Sequence, residues 1–187
     1  MVTTDALRHK PTLEGDRVRL RPLGPQHVAA FLTDDPELRR LTGTHTEFSR
    51  DDIAAWVTSR SQTTDRLDLA IHRRDDDAYL GELALTDLDA ANESVGVRIA
   101  LASIELRGRG FGGEALRLVL EYAFTVIGLH RVELDVYAFN EGAVRVYERL
   151  GFRHEGRLRD ALLWDGERHD ALLMSMLRPE WERMHRG

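Results

Sequence analysis

Short runs of alternating apolar and polar positions fill the first half of the chain. Val18-Arg19-Leu20-Arg21, closed by Pro22, predicts a half-exposed strand. Pro25 stands where a helix can begin, and Val28, Ala29, Phe31 and Leu32 give that helix an apolar face. Ser49 followed by Asp52 predicts a capping box opening a second helix through Ile53, Trp56 and Val57. Residues 67–72 and 79–88 predict two strands. The charged segment 73–77 is short enough to join them as an antiparallel hairpin. After a turn at Asp89-Ala90-Ala91-Asn92, residues 94–101 predict the next strand.

The rhythm changes in the second half. A glycine-rich loop, residues 107–113, precedes a helical period of Ala115, Leu116, Val119, Leu120, Ala123, Phe124 and Ile127, with Gly128 placed to end it. Residues 132–136 alternate as a strand, and Asn140 caps a helix over 143–150 that Gly151 stops. Residues 158–164 and 171–177 flank Asp165-Gly166 and predict a terminal hairpin. The order β, α, α, β, β, β, α, β, α, β, β describes an α+β protein, a mixed sheet with helices on both faces. One domain over 1–187 is expected, with 1–12 as a flexible start.

Composition narrows the chemistry. The chain of 187 residues is 42% hydrophobic and 31% charged, a soluble globular balance, and it holds no Cys. Disulfides, thiolate metal sites and cysteine nucleophiles are therefore excluded. The formal charge of −6 is carried by interspersed acids and bases, as in Arg73-Arg74-Asp75-Asp76-Asp77, with no basic stripe for a nucleic acid. The polar opening residues 1–11 lack a signal-like apolar stretch, and no run of about 18 apolar residues occurs. A cytoplasmic protein with no membrane partner is the expectation. The eight His residues form no metal spacing, so no metal is expected.

The loop Arg107-Gly108-Arg109-Gly110-Phe111-Gly112-Gly113 is where chemistry concentrates. Glycines let backbone N–H groups approach an anion, and the following helix N-terminus adds unpaired donors and partial positive charge. Arg107 and Arg109 add further charge for phosphate groups. Gly108-x-Gly110-x-x-Gly113 also fits a dinucleotide fingerprint, which keeps a nucleotide-dependent oxidoreductase as an alternative. Against that, the loop comes after about a hundred residues, and the chain beyond it ends in an antiparallel hairpin, not a parallel sheet.

Arg107-x-x-Gly110-x-Gly112 resembles the acetyl-CoA motif of the GNAT acyltransferases. Glu114-Ala115 is similar to the family's continuation into its long helix. Asn140-Glu141-Gly142-Ala143, Tyr147 and Leu150-Gly151-Phe152 resemble its N-x-x-A-x-x-x-Y-x-x-x-G-F signature. Arg17-Val18-Arg19-Leu20-Arg21-Pro22-Leu23 and Asp165-Gly166, with Asp170, Met174 and Leu177, resemble RimJ/RimL-type members. The resemblance implies a mostly antiparallel sheet of six to seven strands, with residues 97–102 and 132–136 as a central parallel pair that splays apart. It implies transfer of an acetyl group from acetyl-CoA to an amine, on a small molecule or a peptide N-terminus, in a ternary complex. It also implies that backbone groups of Ala100, Leu101 and Ala102, together with Asn140, meet pantetheine, and that Tyr147 is the general acid. Ala143 departs from the Ser that many RimJ/RimL-type members carry.

Attack by an amine needs a neutral nitrogen, which directs attention to carboxylates. The resemblance puts Asp135, five residues before Asn140, where RimI-type members carry a glutamate base. Glu133 shares its strand face and is a rival, with Glu93 and Glu105 behind them. Either strand acid could instead pair with Arg131 or Arg98. Tyr147 could instead be one aromatic of an apolar stripe with Val144 and Leu150. His45, Trp56, Tyr137 and Trp164 are candidates to line the acceptor site. A non-catalytic acyl-CoA-binding module remains a second alternative, and a homodimer is compatible with the sequence.

Overall fold

The computed structural model describes residues 2, 7, 9–32 and 35–185. Its strands are β1 (Leu13–Glu14), β2 (Val18–Pro22), β3 (Leu67–Arg73), β4 (Tyr79–Asp89), β5 (Ser94–Leu101), β6 (Arg131–Tyr137), β7 (Arg153–Trp164) and β8 (Glu167–Leu177). They form one sheet in the order β1-β2-β3-β4-β5-β6-β8-β7. Every neighbouring pair is antiparallel except β5 and β6. The sheet has eight strands, against the six to seven expected, because the two-residue β1 is too short to leave an alternation pattern.

Alternation along the strands gives the sheet two unlike faces. Leu20, Leu69, Ile71, Leu83, Val97, Leu134 and Met174 point to one face and build the main core. The helix that covers them is α3 (Phe111–Glu121), which contributes Ala115, Leu116, Val119 and Leu120 and widens into a π-helical segment, Tyr122–Ile127. The left-handed Gly128 ends it at φ 84°. Helix α4 (Glu141–Leu150) packs beside α3 and closes this side; left-handed Gly151 terminates it. Leu7 is fully buried in this core, although it falls in the stretch 1–12 expected to be flexible. Residues 1, 3–6 and 8 of that stretch lie outside the described residues.

The opposite face carries a smaller apolar cluster. There Ala70 of β3 meets Leu23, Val28, Ile53 and Val57, with Phe31 and Trp56 packed alongside. These come from a 3-10 segment, Pro25–Leu32, and from α2 (Arg50–Gln62). Ser49 caps α2 reciprocally with Asp52, as the sequence predicts. Two helices gave no clear pattern in the sequence: α1 (Pro36–Thr42) and α5 (Arg178–His185). Helix α1 is capped by Asp35, whose carboxylate accepts from the Glu37 and Leu38 N–H groups. In the terminal hairpin, Asp165 and Gly166 both take positive φ, 49° and 83°, as a two-residue turn demands.

Candidate active site

The parallel pair holds together over only three residue pairs, Ser94↔Arg131, Val95↔Val132 and Gly96↔Glu133. Beyond them β5 runs on to Leu101 and β6 to Tyr137 with no ladder between them. A cavity of about 1540 Å³ occupies the gap. Its walls include Arg98, Ala100, Asp135 and Tyr137 from the polar face and Ile99, Leu101, Leu134 and Val136 from the core face. The cavity therefore passes through the sheet. Drug-sized pockets run to roughly 1,000 Å³, so this one has room for an elongated ligand and a second reactant.

An unpaired strand edge presents free backbone groups. The Ala102 N–H donates to the Leu80 carbonyl at 2.8 Å, toward β4. By ladder alternation the groups of Ala100 also face β4, which leaves those of Ile99 and Leu101 on the open edge. Of the three positions Ala100, Leu101 and Ala102, Leu101 is thus the one with its N–H and C=O toward the gap. Ile99, its alternate, was not singled out from the sequence.

At the core-side mouth lies the glycine loop. Gly108 and Gly110 need positive φ, 71° and 88°, and Gly110 is the N-cap of α3 without any side-chain cap. Gly112 and Gly113 need no unusual φ, and a Cβ there would meet nothing closer than 3.6 Å. Nothing in the fold demands glycine at these two positions; what their absence of side chain does is leave the helix start bare toward the cavity. A row of orphan N–H donors at the positive end of a long helix suits a pyrophosphate. Arg107, Gly108, Gly110, Gly112 and Gly113 all line the cavity. Arg109 and Phe111 do not: the Phe111 ring is buried in the core beneath the guanidinium of Arg17, and the Arg109 carbonyl accepts from Arg17.

Across the gap, Asn140 caps α4 by accepting from the Ala143 N–H, and its same oxygen accepts from Arg107 Nη2 at 2.5 Å. That bond ties the loop to α4. Tyr147 lies two turns beyond Asn140, 8% exposed, against Phe152. It lines the cavity, and its hydroxyl makes no hydrogen bond among the described residues. Burial pushes its phenol up to about 12, with Asp135 adding to the effect and Arg107 opposing it. The hydroxyl therefore stays protonated at neutral pH.

The polar face separates the candidate carboxylates. Glu133 is held by Arg131 at 2.8 Å, and Arg131 also grips Glu155, which accepts from Ser175. Those partners hold Glu155 down to about 2. Asp135 has no hydrogen bond or ion pair among the described residues and lines the gap. Glu93 stands at the closed end, where its carbonyl accepts from His130 and Arg131. Glu105 is exposed on a 3-10 turn, Ile104–Leu106.

The acceptor candidates divide. Tyr137 lines the cavity and reaches over to Gly43, the left-handed C-cap of α1, where a Cβ would collide with its hydroxyl. It stacks on Phe139, over which lies the Arg40 guanidinium. His45 and Trp164 stack at 5.0 Å, joining the segment after α1 to the tip of the β7–β8 hairpin, and neither lines the cavity. Trp56 is elsewhere, packed edge-on against Phe31 in the smaller cluster. Among the described residues no group of His, Asp and Glu is placed to hold a metal ion.

Residues 17–153 match the acetyltransferase (GNAT) domain. The chain belongs to the GNAT family. The uncharacterized N-acetyltransferase YokL of the SPbeta prophage in Bacillus subtilis is 29% identical over 172 residues, 91% of this chain and 96% of that protein. A GCN5-related N-acetyltransferase from Brucella melitensis superposes with a TM-score of 0.78 at 28% identity, covering 93% of this chain and 81% of the other. A spermidine N-acetyltransferase from Vibrio cholerae, solved with CoA and spermine, shares the fold at a TM-score of 0.82 and 21% identity, covering 90% and 99%. This GNAT protein is an acetyl-CoA-dependent N-acetyltransferase. No helix among the described residues is long and apolar enough to cross a membrane.

Proposed function

We propose that this enzyme, acting as one domain in the cytoplasm, is of the RimJ/RimL type and acetylates a primary amine by direct attack in a ternary complex. The acceptor is a small amine or a peptide N-terminus. The observation that carries this reading is the passage of the cavity through the sheet. A donor entering between α3 and α4 and an acceptor entering beside α1 then meet at the same strand edge from opposite sides. With no Cys in the chain, a thiol acyl-enzyme is ruled out, in keeping with direct transfer.

On this reading the N–H groups of the loop and of the α3 start hold the pyrophosphate, and Arg107 adds charge. The edge groups of Ile99 and Leu101 extend along pantetheine as a substitute strand and polarise the thioester carbonyl. Asn140, already bound to Arg107, orients the loop against α4. Tyr147 supplies the proton for the leaving sulfur. Its burial disfavours phenolate, and the same dry surroundings disfavour a bare thiolate, so the proton is needed there. Asp135 at the open acceptor side attracts the incoming ammonium, while Tyr137 gives it an aromatic wall.

The test is a thiol-release assay with acetyl-CoA across an amine panel that includes short peptides with varied first residues. Initial rates should give intersecting lines when donor and acceptor are both varied. Parallel lines would indicate a covalent acetyl-enzyme and reject direct transfer.

A further inference from the structure

Beneath the 3-10 segment and α2, the polar face of the sheet holds a carboxylate that the fold itself does not use. Glu82 lies in the middle of β4, in register with Ala70 on β3 and Ala100 on β5. Alternation puts its side chain on the face of Ala70, beside the apolar cluster of Leu23, Val28 and Ile53. Glu82 is half-buried, yet among the described residues it makes no hydrogen bond and no ion pair. Its neighbour Asp68 shows the contrast: 3% exposed, it is gripped by Arg66 through bonds of 2.6 and 2.8 Å. Arg66 is thereby committed. A carboxylate left without a partner in such surroundings costs stability and has a reason to take up a proton.

Position gives that proton a use. Directly opposed residues on paired strands have Cβ atoms about 5 Å apart, so Glu82 stands immediately behind Ala100. Ala100 and Arg98 form the cavity wall on the acceptor side, next to the open edge of Ile99 and Leu101. Of the β6 carboxylates that line the cavity, Glu133 is bound to Arg131 and Asp135 stands across the gap. Glu82 stands one strand back from the lining, opposite Ala100, which is why a water is needed to reach it. We propose that Glu82 is the proton acceptor for the incoming amine, working through one water at the Ala100 wall.

The step balances as follows. The acceptor arrives as an ammonium and passes one proton through the water to the Glu82 carboxylate. The freed nitrogen lone pair forms the C–N bond at the thioester carbonyl carbon. The C–S bond breaks, sulfur leaves with the bonding pair, and it takes the proton of the Tyr147 hydroxyl. The second nitrogen proton restores Tyr147, and Glu82 releases its own to solvent. The groups that set the affinity of Glu82 are its burial first, then Asp68 of β3, with Arg98 of β5 and Arg66 opposing; together they push it up to about 7. Tyr79 of its own strand feels the Glu82 charge in return. A group poised near neutrality is suited to taking and returning a proton at that pH.

This inference rests on the proposed amine acetylation, and the experiment separates the two. Glu82→Gln keeps shape and removes the base; a thermal melt and acetyl-CoA titration establish that it folds and binds donor as wild type does. With an ordinary alkylamine acceptor its kcat/KM should fall about 100-fold or more, and the acidic limb of the wild-type pH profile near 7 should vanish. With a weakly basic acceptor already neutral at the assay pH, the deficit should shrink to a few-fold. Glu82→Asp should retain the limb at reduced rate. Wild-type turnover by Glu82→Gln, or an equal deficit with both acceptor types, would overturn the role of Glu82 while leaving acetylation intact. A wild-type enzyme that releases no thiol with any amine would overturn both.

Discussion

The two mouths of the central gap share β5 and β6 but are built from different materials. The core-side mouth is made of backbone: the left-handed Gly108 and Gly110, the uncapped start of α3 and the free edge at Ile99 and Leu101. It comes from one stretch of chain plus α4. The polar-side mouth is made of side chains from distant segments, including Glu37 and Arg40 on α1, Arg98 on β5 and Tyr137 on β6. A backbone site binds what every donor has in common, a phosphate and an amide chain. A side-chain site can change its preference by substitution without disturbing the donor. The family relation accordingly fixes acetyl-CoA for this chain, and the acceptor is read from the second mouth.

The largest expected effect breaks the first mouth alone. Gly110→Val places a β-branched residue at φ 88°, at the helix start proposed to hold the donor phosphate. Acetyl-CoA binding, followed by calorimetry, should become undetectable while the far-ultraviolet spectrum stays native. Unchanged affinity would remove the loop from the donor site.

Next in size is the bridge between the mouths. Tyr147→Phe keeps the ring against Phe152 and deletes the hydroxyl. At saturating donor kcat should fall by about two orders of magnitude, with acetyl-CoA affinity and melting temperature near wild type. Near-normal turnover would reduce Tyr147 to a core aromatic.

A smaller contrast separates Asp135 from Glu133. Asp135→Asn should raise KM for a cationic acceptor several-fold, measured at fixed saturating acetyl-CoA. Glu133→Gln should leave KM unchanged and cost about 0–1 kcal/mol of stability, since its pair with Arg131 is exposed. The reverse ranking would move the acceptor toward the outer edge of β6.

The smallest effect concerns pH and the polar-side cover. His27 and His72 are 4% and 7% exposed, with their Nε2 atoms 3.0 Å apart. His27 Nδ1 accepts from the Gly24 N–H, and His72 Nδ1 donates to the Asp77 carbonyl. With both rings neutral, His27 Nε2 donates to His72 and that chain is satisfied, although His27 Nδ1 also lies 3.1 Å from the Gly24 carbonyl. Burial, then His72, lower the affinity of His27 for a proton below its ordinary 6.5. A base with a depressed folded value is stabilising above 6.5, and that stability is lost as pH falls from 6.5 through the folded value. The melting temperature should therefore decline below pH 6.5, and less so in His27→Asn. Equal slopes in both proteins would mean the pair is not the titrating element.

How much of this was legible in the sequence follows the same division. Helix ends announced themselves where a special residue does local work: Ser49 with Asp52, Gly128, Asn140, Gly151 and the Asp165-Gly166 turn all stand as predicted. The glycine loop was legible for the same reason, because its geometry is written in consecutive residues, whereas the parting of β5 from β6 was expected only from the resemblance to the GNAT family. Helix α1 was missed because it has no buried residue and hence no apolar stripe to show. Ile99 was missed because which strand residue faces an open edge depends on pairing with β4 and not on side-chain type. Trp56 was misplaced because an aromatic on a half-buried helix reads the same in core and in site. Glu82 carried no mark at all, since one acid in an alternating strand looks like an ordinary surface position until its neighbours are known.

Amine-dependent release of CoA from acetyl-CoA by the wild-type enzyme tests the central claim most directly. The account predicts one equivalent of free thiol per N-acetylated acceptor, with no release above background when the amine is omitted. Tight acetyl-CoA binding without amine-dependent release, across alkylamines, polyamines and short peptides, would contradict it and leave a protein that holds the cosubstrate without transferring its acetyl group.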